Sequence, residues 1–308
     1  MPTDLRDSVF SLSTHSTGAR PPAGPLHRRH RGLRAFMAIV LGAGVVSGGV
    51  YAASRFLAQE QTLVRERCTA VVGPDEHQLD PDQAANAALI AAVAVRRGMP
   101  ARAATIGIAT AVQESKLRNI DYGDQAGPDS RGLFQQRPSQ GWGTQQQIMN
   151  PLYAANRFYQ ELETFDYRSM PITEAAQKVQ RSAFPEAYAD HEPEGRAYAS
   201  ALTGYSPASL NCVLRRPTAA GDPAGTAAQL TAAYGELPMD PGAHSLTVSA
   251  QDQRGWSVAQ WAVANASARQ IVSVSYSGLL WNRAEHQWVP ASTKSSRVVI
   301  TFADSAAE

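Results

Sequence analysis

Hydrophobic positions along the chain fall into three regimes. Residues 35–54, AFMAIVLGAGVVSGGVYAAS, are a run of 20 without a charge. In a helix such a run rises about 30 Å, the thickness of a bilayer's hydrocarbon core. Between residues 79 and 213 apolar positions recur at helical spacing. Asp80 or Asp82 suits the cap of a helix over 83–97, which Gly98 closes. Pro100 then opens a helix over 101–117, in which Ile106, Ala109 and Val112 share a face and Gln113 and Lys116 give it a polar end. Further helices are expected from Pro151 to 163, from Thr173 to 182 and over 195–202. After residue 229 the pattern changes. Residues 256–266 keep helical spacing, whereas 271–276 and 297–302 read as strands, and Trp281 and Trp288 flank a hairpin turn at 283–286.

These regimes give an organisation. Residues 1–34 are a Pro- and Arg-containing tail, expected to be disordered and cytoplasmic. Residues 35–54 are the expected transmembrane helix, in contact with a lipid bilayer, and 55–78 a stalk. A helical domain occupies 79–213, a linker 214–228, and a small α+β domain 229–308. Arg20, Arg28, Arg29, Arg31 and Arg34 precede the apolar run, so the positive-inside rule places everything after it outside the cell membrane. A cleaved signal peptide is the alternative reading of the run. Cys68 and Cys212 bracket the helical domain. In an oxidising compartment they are expected to pair, and two unpaired thiols are the alternative.

Composition narrows the function. Apolar residues make up 44% and the net charge is only +1, so the chain has a core and lacks the basic field of a nucleic-acid binder. It carries no P-loop, dinucleotide glycine fingerprint or nucleophile elbow. The run Asp190-His191-Glu192 lacks metal-ligand spacing and reads as a solvated loop, so neither a metal nor an organic cofactor is expected.

Chemistry concentrates in two stretches, residues 111–119 (AVQESKLRN) and 130–137 (SRGLFQQR). Glu114 stands near the C-terminal end of an otherwise apolar helix. The negative end of the helix dipole and apolar burial both disfavour its ionised form. A carboxylic acid kept protonated near neutral pH is what a glycosidase general acid requires. A solvated helix residue is the alternative. Gly132 lets backbone approach a ligand closely, and Gln135 and Gln136 offer donors and acceptors suited to sugar hydroxyls. Tyr122, Trp142 and Tyr188 have faces on which sugars stack. Asp121, Asp124 and Asp129 are candidates for a second carboxylate, although acidic residues in such a loop also serve as turn formers.

These stretches resemble the lysozyme-like lytic transglycosylases of the soluble type. The Glu114-Ser115 pair matches that family's Glu-Ser at a helix end, and Gly132-Leu133-Phe134-Gln135 matches its Gly-Leu-Met-Gln turn with Phe for Met. The family's third motif, Ala-Tyr-Asn, has no clear counterpart; Gln180 and Ser182 in 179–183 are the nearest ligand-contacting candidates. The resemblance implies a lysozyme-like helical domain in a mainly α chain and cleavage of the β-1,4 bond between N-acetylmuramic acid and N-acetylglucosamine in peptidoglycan. Glu114 would be the acid and base, with Ser115, Tyr122, Gln135, Gln136, Trp142, Gln180, Ser182 and Tyr188 binding substrate. A muramidase-type hydrolase, a silent peptidoglycan-binding protein and a scaffold recruiting envelope proteins are the alternatives. The tryptophans of 229–308 read either as core or as glycan contacts.

Overall fold

A computed structural model describes residues 36–37, 39–53, 64–125, 127–181, 186–292 and 295–304. The chain divides into two units, Met1–Gln59 and Glu60–Glu308. In the first unit residues 39–53 form helix α1, whose large side chains, among them Ile39, Val45 and Tyr51, are exposed. No helix among the described residues is long and apolar enough to cross a membrane. This corrects the expected transmembrane helix over 35–54. Ala35, Ala38 and Ser54 of that expected span lie outside the described residues. The expected tail, 1–34, also lies outside them.

The second unit corrects the expectation of a mainly α fold. The described residues are about 47% helical and 17% strand, in two antiparallel sheets. The smaller sheet, in the order β2-β1-β3, joins Arg67–Val72 (β1), Asp75–Leu79 (β2) and Leu210–Val213 (β3). Residues read as a stalk are thus a hairpin, turned at Gly73 with φ 68°. Cys68 faces Cys212 directly across β1 and β3, and the two form a disulfide.

Helix α2 (Pro81–Arg96) starts at Asp80, where Gln83 completes a capping box. It is buried along Ala87, Ala88, Ile90, Ala91, Ala92, Val93 and Ala94 and packs against α3 (Ala101–Ser115), α5 (Pro151–Leu162), α7 (Glu192–Leu202), α8 (Pro223–Tyr234) and α9 (Asp252–Ala264). Its alanines leave little bulk between the helix axes, so one helix can touch five neighbours. α3 and α7 approach still more closely: a Cβ on Gly195 would stand 3.0 Å from the Thr105 carbonyl oxygen. The short α4 (Gln145–Ile148) and α6 (Ile172–Gln180) complete this layer.

The larger sheet has the order β4-β5-β9-β6-β7-β8, from Met239–Pro241 (β4), Ser245–Val248 (β5), Ile271–Tyr276 (β6), Leu279–Asn282 (β7), Gln287–Pro290 (β8) and Val298–Phe302 (β9). Trp281 pairs with Trp288 across the β7–β8 hairpin. Four of these strands are only three or four residues long, too short to announce themselves by alternation. α10 (Ala266–Arg269) links α9 to β6. α8 begins inside the stretch read as a linker: Asp222 accepts from Gly225 N–H at 2.8 Å and Pro223 takes the first helical position.

Candidate active site

The site is built where α3 ends. Lys116 and Leu117 both take left-handed backbone, φ 53° and 56°, which reverses the chain. α2 holds this reversal. Gln83 Nε2 donates to the Lys116 carbonyl at 2.9 Å and Asn86 Nδ2 to that of Leu117 at 2.7 Å. Arg118 pairs with Asp80 at 2.6 Å and Asp82 at 2.9 Å. The carbonyls just beyond α3 therefore find partners on a neighbouring helix.

The turn of residues 132–135 docks against this end. Ser115 Oγ donates to the Leu133 carbonyl at 2.7 Å, and Gly132 N–H to that of Ile120 at 2.7 Å. Gly132 has φ 79°, and a Cβ there would stand 2.8 Å from the Ile148 carbonyl oxygen, so only glycine fits. Phe134 is buried and stacks on Phe158 with ring centroids 4.6 Å apart. From the C-terminal end of α6, Gln180 Nε2 donates to the Phe134 carbonyl at 2.7 Å.

Glu114 sits between these parts, half-buried. The Tyr188 hydroxyl donates to its Oε1 at 2.7 Å, and the Gln180 amide lies close enough to act on its pKa. Burial raises the Glu114 carboxyl above its usual range; the polar groups of Tyr188 and Gln180 oppose the rise, and the negative charge of Asp124 adds to it. The arrangement provides a partly desolvated carboxyl group, held by the Tyr188 hydroxyl, at the end of a helix whose dipole also favours its protonated form.

The structure brings Glu114, Gln180 and Tyr188 together. Other sequence candidates lie differently. Ser115 is buried and spends its hydroxyl on the Ala111 and Leu133 carbonyls, so it positions the turn instead of meeting a ligand. Gln136 is buried and donates to the Ala154 carbonyl at 3.2 Å, toward α5. Trp142 is 3% exposed, with the Arg157 guanidinium 5.9 Å from its ring centroid. It packs and offers no free face. Gln135 takes a left-handed backbone, φ 45°, and donates to the Gly132 carbonyl at 3.2 Å. Tyr122 is exposed, and Ser182 lies outside the described residues.

The three loop carboxylates also separate. Asp129 pairs with Arg137 at 2.8 Å and accepts from Ser139 N–H at 3.0 Å. The bonds from Ser139 and the Arg137 charge hold it far below the usual carboxylate range. Asp121 is exposed. Asp124 accepts from Gly127 N–H at 2.8 Å and is the one of the three whose charge reaches Glu114.

One neighbour escaped the sequence reading. His191 Nε2 meets Gln113 Oε1 at 2.8 Å, one residue before Glu114. Burial lowers the His191 pKa and the Asp190 charge opposes. The signal was the Asp-His-Glu run itself, read only for metal binding. Among the described residues no group of three acidic, histidine or cysteine side chains is placed to hold a metal ion. Comparison with protein-family models finds no match, and comparison with curated proteins finds none either.

Proposed function

We propose that the protein cuts the glycan strands of peptidoglycan outside the cytoplasm, with Glu114 as general acid and then base. The single observation that carries this reading is the setting of Glu114: half-buried, raised in pKa by burial, and fixed by Tyr188 beside the 132–135 turn that Gln180 holds. The protonated carboxyl gives its proton to the glycosidic oxygen as the bond to the anomeric carbon breaks. The resulting carboxylate then takes the proton of the muramyl 6-hydroxyl, whose oxygen attacks that carbon and closes an anhydro ring. This route uses one carboxylate. The disulfide between Cys68 and Cys212 supports an oxidising location, where the substrate lies.

Asp124 favours a second reading. Its charge reaches Glu114, and a second carboxylate is what a hydrolase uses to direct water. Mass spectrometry of purified peptidoglycan digested with the full chain and with Glu114→Gln tests both. Anhydro-muropeptides from the unsubstituted protein, reduced at least about 100-fold by Glu114→Gln, are expected. Reducing-end products would assign hydrolysis. No products from the unsubstituted protein would overturn both readings.

A further inference from the structure

The segment that carries Tyr188 reaches the end of α3 at two places. Ala189–His191 form a single 3-10 turn that starts at Tyr188 and leads directly into α7. In such a turn residues three apart lie one above the other, so Tyr188 and His191 share an edge. That edge faces α3: Tyr188 is buried and His191 half-buried, whereas Asp190 between them is exposed. Each of the two side chains meets one of two consecutive residues of α3. The Tyr188 hydroxyl is 2.7 Å from Glu114 Oε1, and His191 Nε2 is 2.8 Å from Gln113 Oε1.

The turn's own backbone holds it weakly. Ala189 N–H donates to the Glu186 carbonyl at 3.1 Å and His191 N–H to that of Tyr188 at 3.2 Å, the long end of the normal range, and no side chain caps its start. The two bonds to α3 also differ in kind. The bond from Tyr188 weakens whenever Glu114 takes up a proton, because a carboxylate is the stronger acceptor. The bond from His191 does not change in this way. Neutral or protonated, the imidazole donates Nε2–H to a carboxamide oxygen, which does not titrate. The charge that acts on His191 is that of Asp190. The other charged groups around the turn, Asp75, His77, Glu192 and Arg196, line a cavity with Ala189, in which Glu192 pairs with Arg196, and Glu194 of α7 feels His77. None of them is bonded to His191 or Gln113.

We propose that His191, through Gln113, is a positioning residue for Glu114: it clamps the turn on the end of α3, so that the Tyr188 hydroxyl stays on the carboxyl in both of its protonation states. The proposal rests on the reading of Glu114 as acid and base, two states through which its setting has to last. Neither His191 nor Gln113 needs to touch substrate. Without the clamp the phenol is free to drift, and a bond that lowers the Glu114 pKa is lost in part.

Titration of the Glu114 carboxyl by NMR of the full chain, labelled at its glutamate side chains, tests the clamp; the signal is assigned by its loss in Glu114→Gln. His191→Phe keeps a flat ring and removes the donor, and Gln113→Ala removes the acceptor. Each is expected to raise the Glu114 pKa by at least about half of the rise that Tyr188→Phe produces. In a Tyr188→Phe background neither should add a further rise, because the path runs through the phenol. His191→Gln, whose amide N–H reaches about as far as Nε2, should restore the parent value. The clamp is overturned by an unmoved pKa in folded His191→Phe and Gln113→Ala. It is equally overturned by a rise that persists in the Tyr188→Phe background or in His191→Gln, since that marks a direct effect of the imidazole on the carboxyl. The titration needs no substrate. A parent chain that cuts no peptidoglycan therefore overturns the reading of Glu114, whereas an unmoved pKa in a chain that cuts overturns the clamp alone.

Discussion

Tyr188 and Glu114, 74 residues apart in the chain, meet in a 2.7 Å hydrogen bond from the phenol to Oε1. That bond favours the ionised carboxylate, whereas burial favours the acid. The first chemical step needs the acid, so activity falls as pH rises through the Glu114 pKa. Tyr188→Phe removes a bond that lowers this pKa. The alkaline limb of kcat/KM should therefore move to higher pH, while kcat drops about tenfold because the carboxyl is less firmly placed. A limb that stays put or moves down would contradict this account of Glu114.

Asp124 acts with the opposite sign. Its charge raises the Glu114 pKa, so Asp124→Asn should move the same limb to lower pH. The substitution also separates the two chemistries. A transglycosylase keeps its maximal rate to within a few-fold, whereas a hydrolase that directs water through Asp124 loses about 100-fold or more.

Stability should follow the same group. The folded-state pKa of Glu114 lies above the ordinary value of 4.5, so the native chain holds a proton that the unfolded chain releases. Its contribution therefore weakens as pH rises above 4.5 through the raised pKa, and the ionised group is a burden beyond it. Glu114→Gln keeps the acceptor for Tyr188 and removes the burden. Melting temperatures should show the variant more stable than the parent at neutral pH, with the difference vanishing toward pH 4.5 and below.

Ser115 carries a different kind of test. Its hydroxyl ties the end of α3 to the Leu133 carbonyl at 2.7 Å. Ser115→Ala leaves that buried carbonyl without its partner, at about 2 kcal/mol by urea denaturation. The 132–135 turn should loosen, so KM is expected to rise. An unchanged KM would mean that the turn does not position substrate.

How much of this was legible in the sequence depends on how local each signal was. β6 spans 271–276 as read, and α3 ends within two residues of its expected end, because apolar spacing and Pro100 act within one turn. The β1–β2 hairpin was read as a stalk because Asp75, Glu76 and His77 show no apolar face. It becomes a sheet by pairing with β3, far along the chain. Pro223 falls in the stretch read as a linker, yet after Asp222 it opens α8. In the site, Glu114, Gln180 and Tyr188 were named by residue type and order and lie together, but Tyr188, read as a face for sugar stacking, is 1% exposed and meets Glu114 through its hydroxyl. Gln136 and Trp142 were misread because which way a side chain faces depends on α5, whose Ala154 and Arg157 claim them.

The two halves of the compact unit should unfold together. At the centre of α9, fully buried Gln260 donates from Nε2 to the carbonyls of Ala201 at 2.6 Å and Ser206 at 3.0 Å. Its Oε1 accepts the N–H groups of Ser209 and Leu210, both at 2.9 Å. Ser257 Oγ donates to the Leu202 carbonyl at 2.6 Å and Gln253 Nε2 to that of Thr203 at 3.0 Å. The last carbonyls of α7 are thus capped by one face of α9. Gly204 makes this possible: a Cβ there would fall 1.9 Å from the Gln253 carbonyl oxygen. Four of the five tryptophans, Trp256, Trp261, Trp281 and Trp288, lie after residue 229, whereas most of the helix lies before it. Tryptophan fluorescence therefore follows the second half and far-ultraviolet circular dichroism chiefly the first. The two transitions should coincide in the parent chain. Gln260→Leu strands the Ser209 and Leu210 N–H groups, while the Ala201 and Ser206 carbonyls keep bonds from Gly204 N–H and Ser209 Oγ, and it should cost about 3 kcal/mol. If the halves were separate domains, the fluorescence transition would move in this variant while the dichroism transition stayed in place. A contiguous unit moves both.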